Sequence, residues 1–131
     1  MVMLRPLLIF FLIVFAINGN GENLSCTEFY KVINEADHAV VLDTRICEEF
    51  KNERIPGALY AGEKKILLNL VSDMKKDRPL LIYCDYGDRS QTVIQILKKE
   101  GFKNLYHLEK GFDEWRKQEF PVDDHPMESC K

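Results

Sequence analysis

No two cysteines of this chain are spaced as Cys-x-x-Cys, which excludes a thioredoxin-type redox pair and a zinc knuckle. No histidine lies close to a cysteine in sequence, so no adjacent base announces itself. There is no internal repeat, no low-complexity tract and no stripe of lysine and arginine, so nucleic-acid binding is not expected. No apolar run reaches the ~18 residues of a membrane-spanning helix; the longest, Leu7 to Ile17, falls short. What remains is a chain of 131 residues, 46% hydrophobic and 30% charged, with a net charge of −3, the composition of one folded globular domain.

The N-terminus reads as an address. Arg5 is a short positive region, Leu7 to Ile17 is the apolar stretch, and Gly19 and Gly21 form a small-x-small pair suited to processing. Residues 1–21 are expected to be a cleaved signal peptide and 22–131 a single domain. The expected location is periplasmic or secreted, with no stable membrane insertion after cleavage; an uncleaved membrane anchor is the alternative. Export would carry Cys26, Cys47, Cys84 and Cys130 into an oxidising compartment, where disulfides form. Four cysteines allow three full pairings, and spacing does not choose among them. Cys26 and Cys130 flank the domain, and their pairing, which closes a long loop, is the expectation.

Along the domain, strand and helix signals alternate. Ser25-Cys-Thr-Glu28 is a capping box before the helical spacing of Phe29, Val32, Ile33 and Ala36. Ala39–Leu42, Leu80–Tyr83 and Leu105–Leu108 are short apolar runs suited to strands buried on both faces. Helical stretches are expected at Glu48–Lys51, around Leu67–Met74, at Ser90–Glu100 and at Gly111–Gln118, with a turn at Ile55-Pro-Gly57. This alternation predicts an α/β fold: a mainly parallel central sheet with helices on both faces, and function beyond the carboxyl ends of its strands.

Two such ends carry chemistry: Asp43-Thr-Arg45, and Cys84 followed by Asp85, Tyr86, Gly87, Asp88 and Arg89. A core cysteine belongs inside a strand, whereas Cys84 opens a polar loop leading into a helix. Amides of such a loop, with the positive end of the next helix, favour thiolate, the nucleophilic form. Gly87 permits a positive φ, Arg89 adds a charged donor fork, and Ser90 can cap the helix.

These segments resemble the rhodanese-like sulfurtransferase family. Val41-Leu-Asp-Thr-Arg-Ile-Cys-Glu-Glu-Phe50 is similar to the family's strand ending in Asp-x-Arg. Ile55-Pro-Gly-Ala58 matches its turn, and Leu81-Ile-Tyr-Cys-Asp-Tyr-Gly-Asp-Arg-Ser90 its active-site loop. Leu108-Glu-Lys-Gly-Phe-Asp-Glu-Trp115 and Phe120-Pro-Val122 follow in the family's order, so the resemblance spans about residues 25–123. It implies a rhodanese-like fold and a covalent, two-stage reaction without cofactor or metal. Cys84 would take sulfur from a small donor and pass it to a thiol or cyanide, with residues 85–89 cradling the sulfur and Asp43, Arg45 and Ser90 supporting the site. A thiol-reducing protein is a possible partner.

The departures are specific. Arg54 stands where the family commonly has histidine, and Cys47 stands just after Asp-x-Arg, where proline is frequent. Cys47 is thus a possible accessory thiol near the site, or a small buried apolar residue. Asp85 and Asp88 make the loop acidic, which disfavours a dianion such as thiosulfate and favours a persulfide or polysulfide donor. His107, within an apolar strand, is expected to be a core residue, and His38 and His125 exposed. Two other readings remain. A cysteine-dependent phosphatase or arsenate reductase would need five residues between cysteine and arginine, whereas four separate Cys84 from Arg89. A non-catalytic interaction module usually lacks the cysteine.

Overall fold

Each buried strand sends alternate residues to opposite faces, and the two cores of the molecule follow that alternation. In the computed structural model, which describes residues 20–131, five parallel strands run in the order β1-β5-β4-β2-β3. They are β1 (Asn20–Leu24), β2 (Val40–Asp43), β3 (Leu59–Tyr60), β4 (Leu80–Tyr83) and β5 (Leu105–Leu108). On one face, Val41, Leu81, Tyr83, Tyr106 and Leu108 pack with helices α1 (Cys26–Glu35), α2 (Cys47–Asn52) and α5 (Gly111–Lys117). On the other, Val40, Leu42, Leu80, Ile82 and Leu105 pack with α3 (Lys64–Val71) and α4 (Asp88–Lys99). Both sheet faces are covered, so β2, β4 and β5 are apolar throughout except for Asp43 and His107, both buried.

The capping box forms as expected: Ser25 Oγ accepts from Glu28 N, and Glu28 accepts from Ser25 N. Two strands lacked a sequence signal. β1 is an edge strand whose only buried residue is Leu24, so it carries no apolar alternation, and β3 is two residues long. β1 begins at Asn20, inside the stretch assigned above to the leader. Residues 1–19 of that stretch lie outside the described residues.

The expected Cys26–Cys130 pairing is not the one formed. Cys47 and Cys130 are joined, with Cα atoms 5.9 Å apart, while Cys26 is a free, buried thiol. The path of the C-terminal tail explains this. Arg54 and Asp123 exchange backbone hydrogen bonds, Met127 N donates to Lys51 O, and the tail arrives at the start of α2. Cys26 instead begins α1, under the core that contains Trp115. Arg54 holds the same junction: its buried guanidinium donates to Phe50 O and to His125 O and pairs with Asp123 at 3.1 Å. The accessory-thiol reading of Cys47 is therefore corrected, since its sulfur is already bonded.

Candidate active site

Cys84 sits where β4 stops, and the chain then curls around its sulfur. Gly87 N donates to Sγ at 3.1 Å and Ser90 N at 3.4 Å, the latter from the first turn of α4. The sulfur therefore faces backbone donors at the positive end of a twelve-residue helix, a setting that favours negative charge. Gly87 makes the curl possible. Its φ is +98°, and a Cβ there would lie 2.1 Å from Glu109 O.

The loop is held from α5 as well. Phe112 N donates to Cys84 O at 2.8 Å and Asp113 N to Asp85 O at 3.1 Å. This close approach requires Gly111, whose φ is +71° and whose added Cβ would lie 2.3 Å from Asp85 O.

Of the five residues expected to cradle the sulfur, only Gly87 gives it an amide, joined by Ser90. Asp88 instead brings a carboxylate, Oδ1 lying 3.8 Å from Sγ and able to accept the thiol proton. Asp85 and Tyr86 face a separate cleft of about 230 Å³ lined also by Arg45, Glu49, Phe112 and Arg116. The Tyr86 ring is 71% exposed. Arg89 is exposed and lines a different cleft beside Gly62, Lys64 and Thr92. A helical residue next to Asp88 points about 100° away from it, so its fork misses the sulfur. Ser90 is not the helix cap: Gly87 occupies that position, and Ser90 Oγ lies 3.3 Å from Sγ.

Asp43 and Arg45 form a brace at the end of β2. Arg45 pairs with Asp43 at 2.8 Å, donates to Glu53 O, and stacks 4.2 Å from the centre of the Phe112 ring. Tyr83 OH donates to Asp43 and accepts from Ile55 N, linking β2, β4 and the Ile55-Pro-Gly turn. Burial and the Asp43 carboxylate push the Tyr83 hydroxyl well above its ordinary pKa, so it remains a donor. Arg45 also lies 4.0 Å from Asp85, which partly offsets that carboxylate.

Two residues escaped the sequence reading. Among the described residues Glu49 Oε2 is buried without a hydrogen-bond partner of ordinary geometry, and burial, together with the neighbouring Asp85 carboxyl, raises the Glu49 carboxyl to about 6. His107 is buried, as expected, but its ring is polar-bonded at both ends: Nε2 lies 2.5 Å from Ser90 Oγ and Nδ1 lies 2.8 Å from Asn23 Oδ1. Strand parity held the signal, because His107 in β5 faces the same side as Cys84 after β4.

Comparison with known proteins agrees with this geometry. The family model for the rhodanese-like domain matches residues 25–118. The chain is 33% identical over 95 residues to the thiosulfate sulfurtransferase GlpE of Coxiella burnetii, covering 72% of this chain and 87% of that protein. It is 32% identical over 94 residues to the protein of the same name from Shewanella oneidensis, covering 72% and 91%. The fold is similar to the crystal structure of the Alr3790 protein from Anabaena sp., with a TM-score of 0.68 at 17% identity, covering 76% and 79% of the two chains. The chain therefore belongs to the rhodanese-like family and is a sulfurtransferase of that type.

Proposed function

We propose that the protein is an exported single-domain sulfurtransferase that carries sulfane sulfur on Cys84. One observation carries this reading: the Cys84 sulfur, at the carboxyl end of β4, receives two backbone amides, from Gly87 and Ser90. In the first half-reaction the Cys84 thiolate attacks the outer sulfur of a donor R–S–SH. An S–S bond forms on Cys84, the donor's S–S bond breaks, and R–S⁻ leaves and takes a proton. In the second, an acceptor thiolate or cyanide attacks the terminal sulfur and Cys84 leaves as thiolate. No external oxidant or reductant is consumed.

The relatives named above are thiosulfate sulfurtransferases. Here the carboxylate of Asp88 beside Sγ repels a dianion, which favours a persulfide or polysulfide over thiosulfate. Export is supported by the pattern of residues 1–21 and by the Cys47–Cys130 disulfide, a bond that persists in oxidising compartments.

Mass spectrometry after donor treatment tests the carrier. A cyanide-labile adduct of about 32 Da is expected on the Cys84 peptide. Cys84→Ser should abolish turnover and keep the fold, since the hydroxyl is nearly isosteric but cannot carry sulfane sulfur. Full turnover in Cys84→Ser would overturn the reading.

A further inference from the structure

A chain of polar atoms, buried from His107 onward, runs from the exposed Asn23 of the edge strand to the reactive sulfur: Asn23 Oδ1, His107 Nδ1 and Nε2, Ser90 Oγ, Cys84 Sγ. The successive separations are 2.8 Å, 2.5 Å and 3.3 Å. Four elements contribute to it: β1, β5, α4 and the end of β4. Ser90 and His107 are 0% and 1% exposed. Packing alone does not call for a histidine on the apolar face of β5, where Leu105 serves two residues earlier.

We propose that this chain is a proton relay in which His107, acting through Ser90, takes the proton of the Cys84 thiol. The inference rests on the Cys84 carrier reading above and assigns residues to its first step.

The direction follows from the donor inventory. Asn23 Oδ1 can only accept, so Nδ1 carries the ring hydrogen of neutral His107. Nε2 then holds a lone pair and accepts from the Ser90 hydroxyl, whose oxygen is left to accept from the Cys84 thiol. When the sulfur loses its proton, that proton passes to Ser90 Oγ, and the original Ser90 proton passes to Nε2. The hydrogen bonds are reversed at the end of the step: imidazolium donates to Ser90, and Ser90 donates to the thiolate. The pair stays neutral overall, and no proton crosses to bulk water. When Cys84 is released in the second half-reaction, the same path returns the proton.

The surroundings keep His107 neutral at rest and able to charge. Burial lowers its pKa, while the Gly87 carbonyl and the Glu109 carboxylate act in the opposite direction. Around the sulfur, the thiol hydrogen has two acceptors in reach, Ser90 Oγ at 3.3 Å and Asp88 Oδ1 at 3.8 Å, and the relay runs when it is on the serine; the Asp88 carboxylate opposes the thiolate, and the Gly87 and Ser90 amides favour it. Ile82, beside His107 on β4, brings no charge. The imidazolium offsets the carboxylate that the loop places beside its own nucleophile.

The test is the pH dependence of Cys84 alkylation by iodoacetamide, followed on the Cys84 peptide, for the full domain and for His107→Gln, Ser90→Ala and Asn23→Asp. The parent should show two steps, the lower one arising from the thiolate–imidazolium pair. His107→Gln and Ser90→Ala should lose the lower step and fall on the order of a hundredfold near pH 6.5, recovering toward parent rates above pH 9. Asn23→Asp should raise the height of the lower step, because a carboxylate on Nδ1 makes the ring more basic and holds more of the pair as thiolate–imidazolium. Superimposable profiles for parent and His107→Gln would overturn the relay, and so would a loss uniform across pH. If His107→Gln does not fold, the loss of the lower step in Ser90→Ala and its growth in Asn23→Asp decide. Turnover in Cys84→Ser would strike the carrier reading instead, a separate result from either.

Discussion

Reducing the Cys47–Cys130 disulfide, or replacing Cys130 by serine, should destabilise the domain strongly while sparing the site. The bond spans a sequence separation of 83 residues. In the chain-entropy treatment, a closed loop of that length removes about 15 cal/mol/K from the unfolded chain, or about 4.5 kcal/mol at 25 °C. Denatured chains are more compact than the ideal coil, which reduces the gain. A loss of about 2–4 kcal/mol is therefore expected, equivalent to a fall in Tm of roughly 10–15 °C for a domain of this size.

The tail is also held by the Arg54–Asp123 backbone pair and by Met127 N on Lys51 O. These contacts keep it docked in the reduced native state, so most of the loss lies in the unfolded chain. The assay is guanidinium unfolding of oxidised protein, reduced protein and Cys130→Ser, with sulfur-transfer turnover measured at 25 °C. The denaturant slope should rise when the bond is absent, because a freer unfolded chain exposes more surface. Turnover should persist, since the Arg45 brace rests on Asp43 and Glu53 O and not on Cys130. A stability change under about 1 kcal/mol would refute the loop-closure reasoning. A loss of turnover with stability retained would make the disulfide part of the site.

Asp88→Asn should raise thiosulfate turnover more than Asp85→Asn does, because Asp88 lies 3.8 Å from Sγ while Asp85 is partly offset by Arg45; the gain should shrink with added salt, and equal effects would remove the argument. Burial and the Asp85 carboxylate raise the Glu49 carboxyl from its ordinary 4.5 to about 6, so its contribution to stability is full below about 4.5 and is lost as pH rises through about 6. Solvent screening holds this to about 1 kcal/mol. Urea midpoints at pH 4.5 and pH 7 should therefore converge in Glu49→Gln, and an unchanged difference would refute the assignment. Asp43→Asn leaves the buried Arg45 without its carboxylate and should cost about 3–5 kcal/mol in chemical denaturation. Gly87→Ala places a Cβ against Glu109 O and strains φ, so both alkylation of Cys84 and turnover should fall together; wild-type rates would show that the curl does not need glycine.

The sequence made the central strands and the position of Cys84 legible because their signals are local: apolar runs four residues long, and a polar loop at the end of one of them. β1 was hidden because Asn20–Leu24 buries one residue and carries no apolar run, its pairing with β5 resting on the backbone ladder and the one side-chain bond from Asn23. With β1 unseen, Asn23 had no reason to be noticed, and His107 read as core. The disulfide was misassigned for a related reason. Pairing depends on where the tail travels, and its path is set by Arg54 reaching carbonyls 69 and 71 residues away, which no spacing rule records. Arg89 does not join the cradle that its place in the loop predicts, because α4 begins at Asp88 and rotates Arg89 outward.

The arrangement of thiols bears on how Cys84 would survive in the oxidising compartment proposed above. All four cysteines lie within the described residues. Two are consumed by the disulfide, and the remaining free thiol, Cys26, packs in the core that contains Trp115 on the α1, α2 and α5 side of the sheet. Cys84 follows Leu80 and Ile82 in strand parity and faces α4, so the sheet stands between the two free thiols. No second thiol is in reach to resolve a sulfenic acid on Cys84 within the chain. Any disulfide on Cys84 must therefore form with another molecule, and its reduction must come from the acceptor thiol or a thiol-reducing partner. The chain separates its structural sulfur chemistry from its reactive one: the bond that needs oxidation closes the tail onto α2, and the thiol that must stay reduced is 1% exposed behind Gly87 and Ser90.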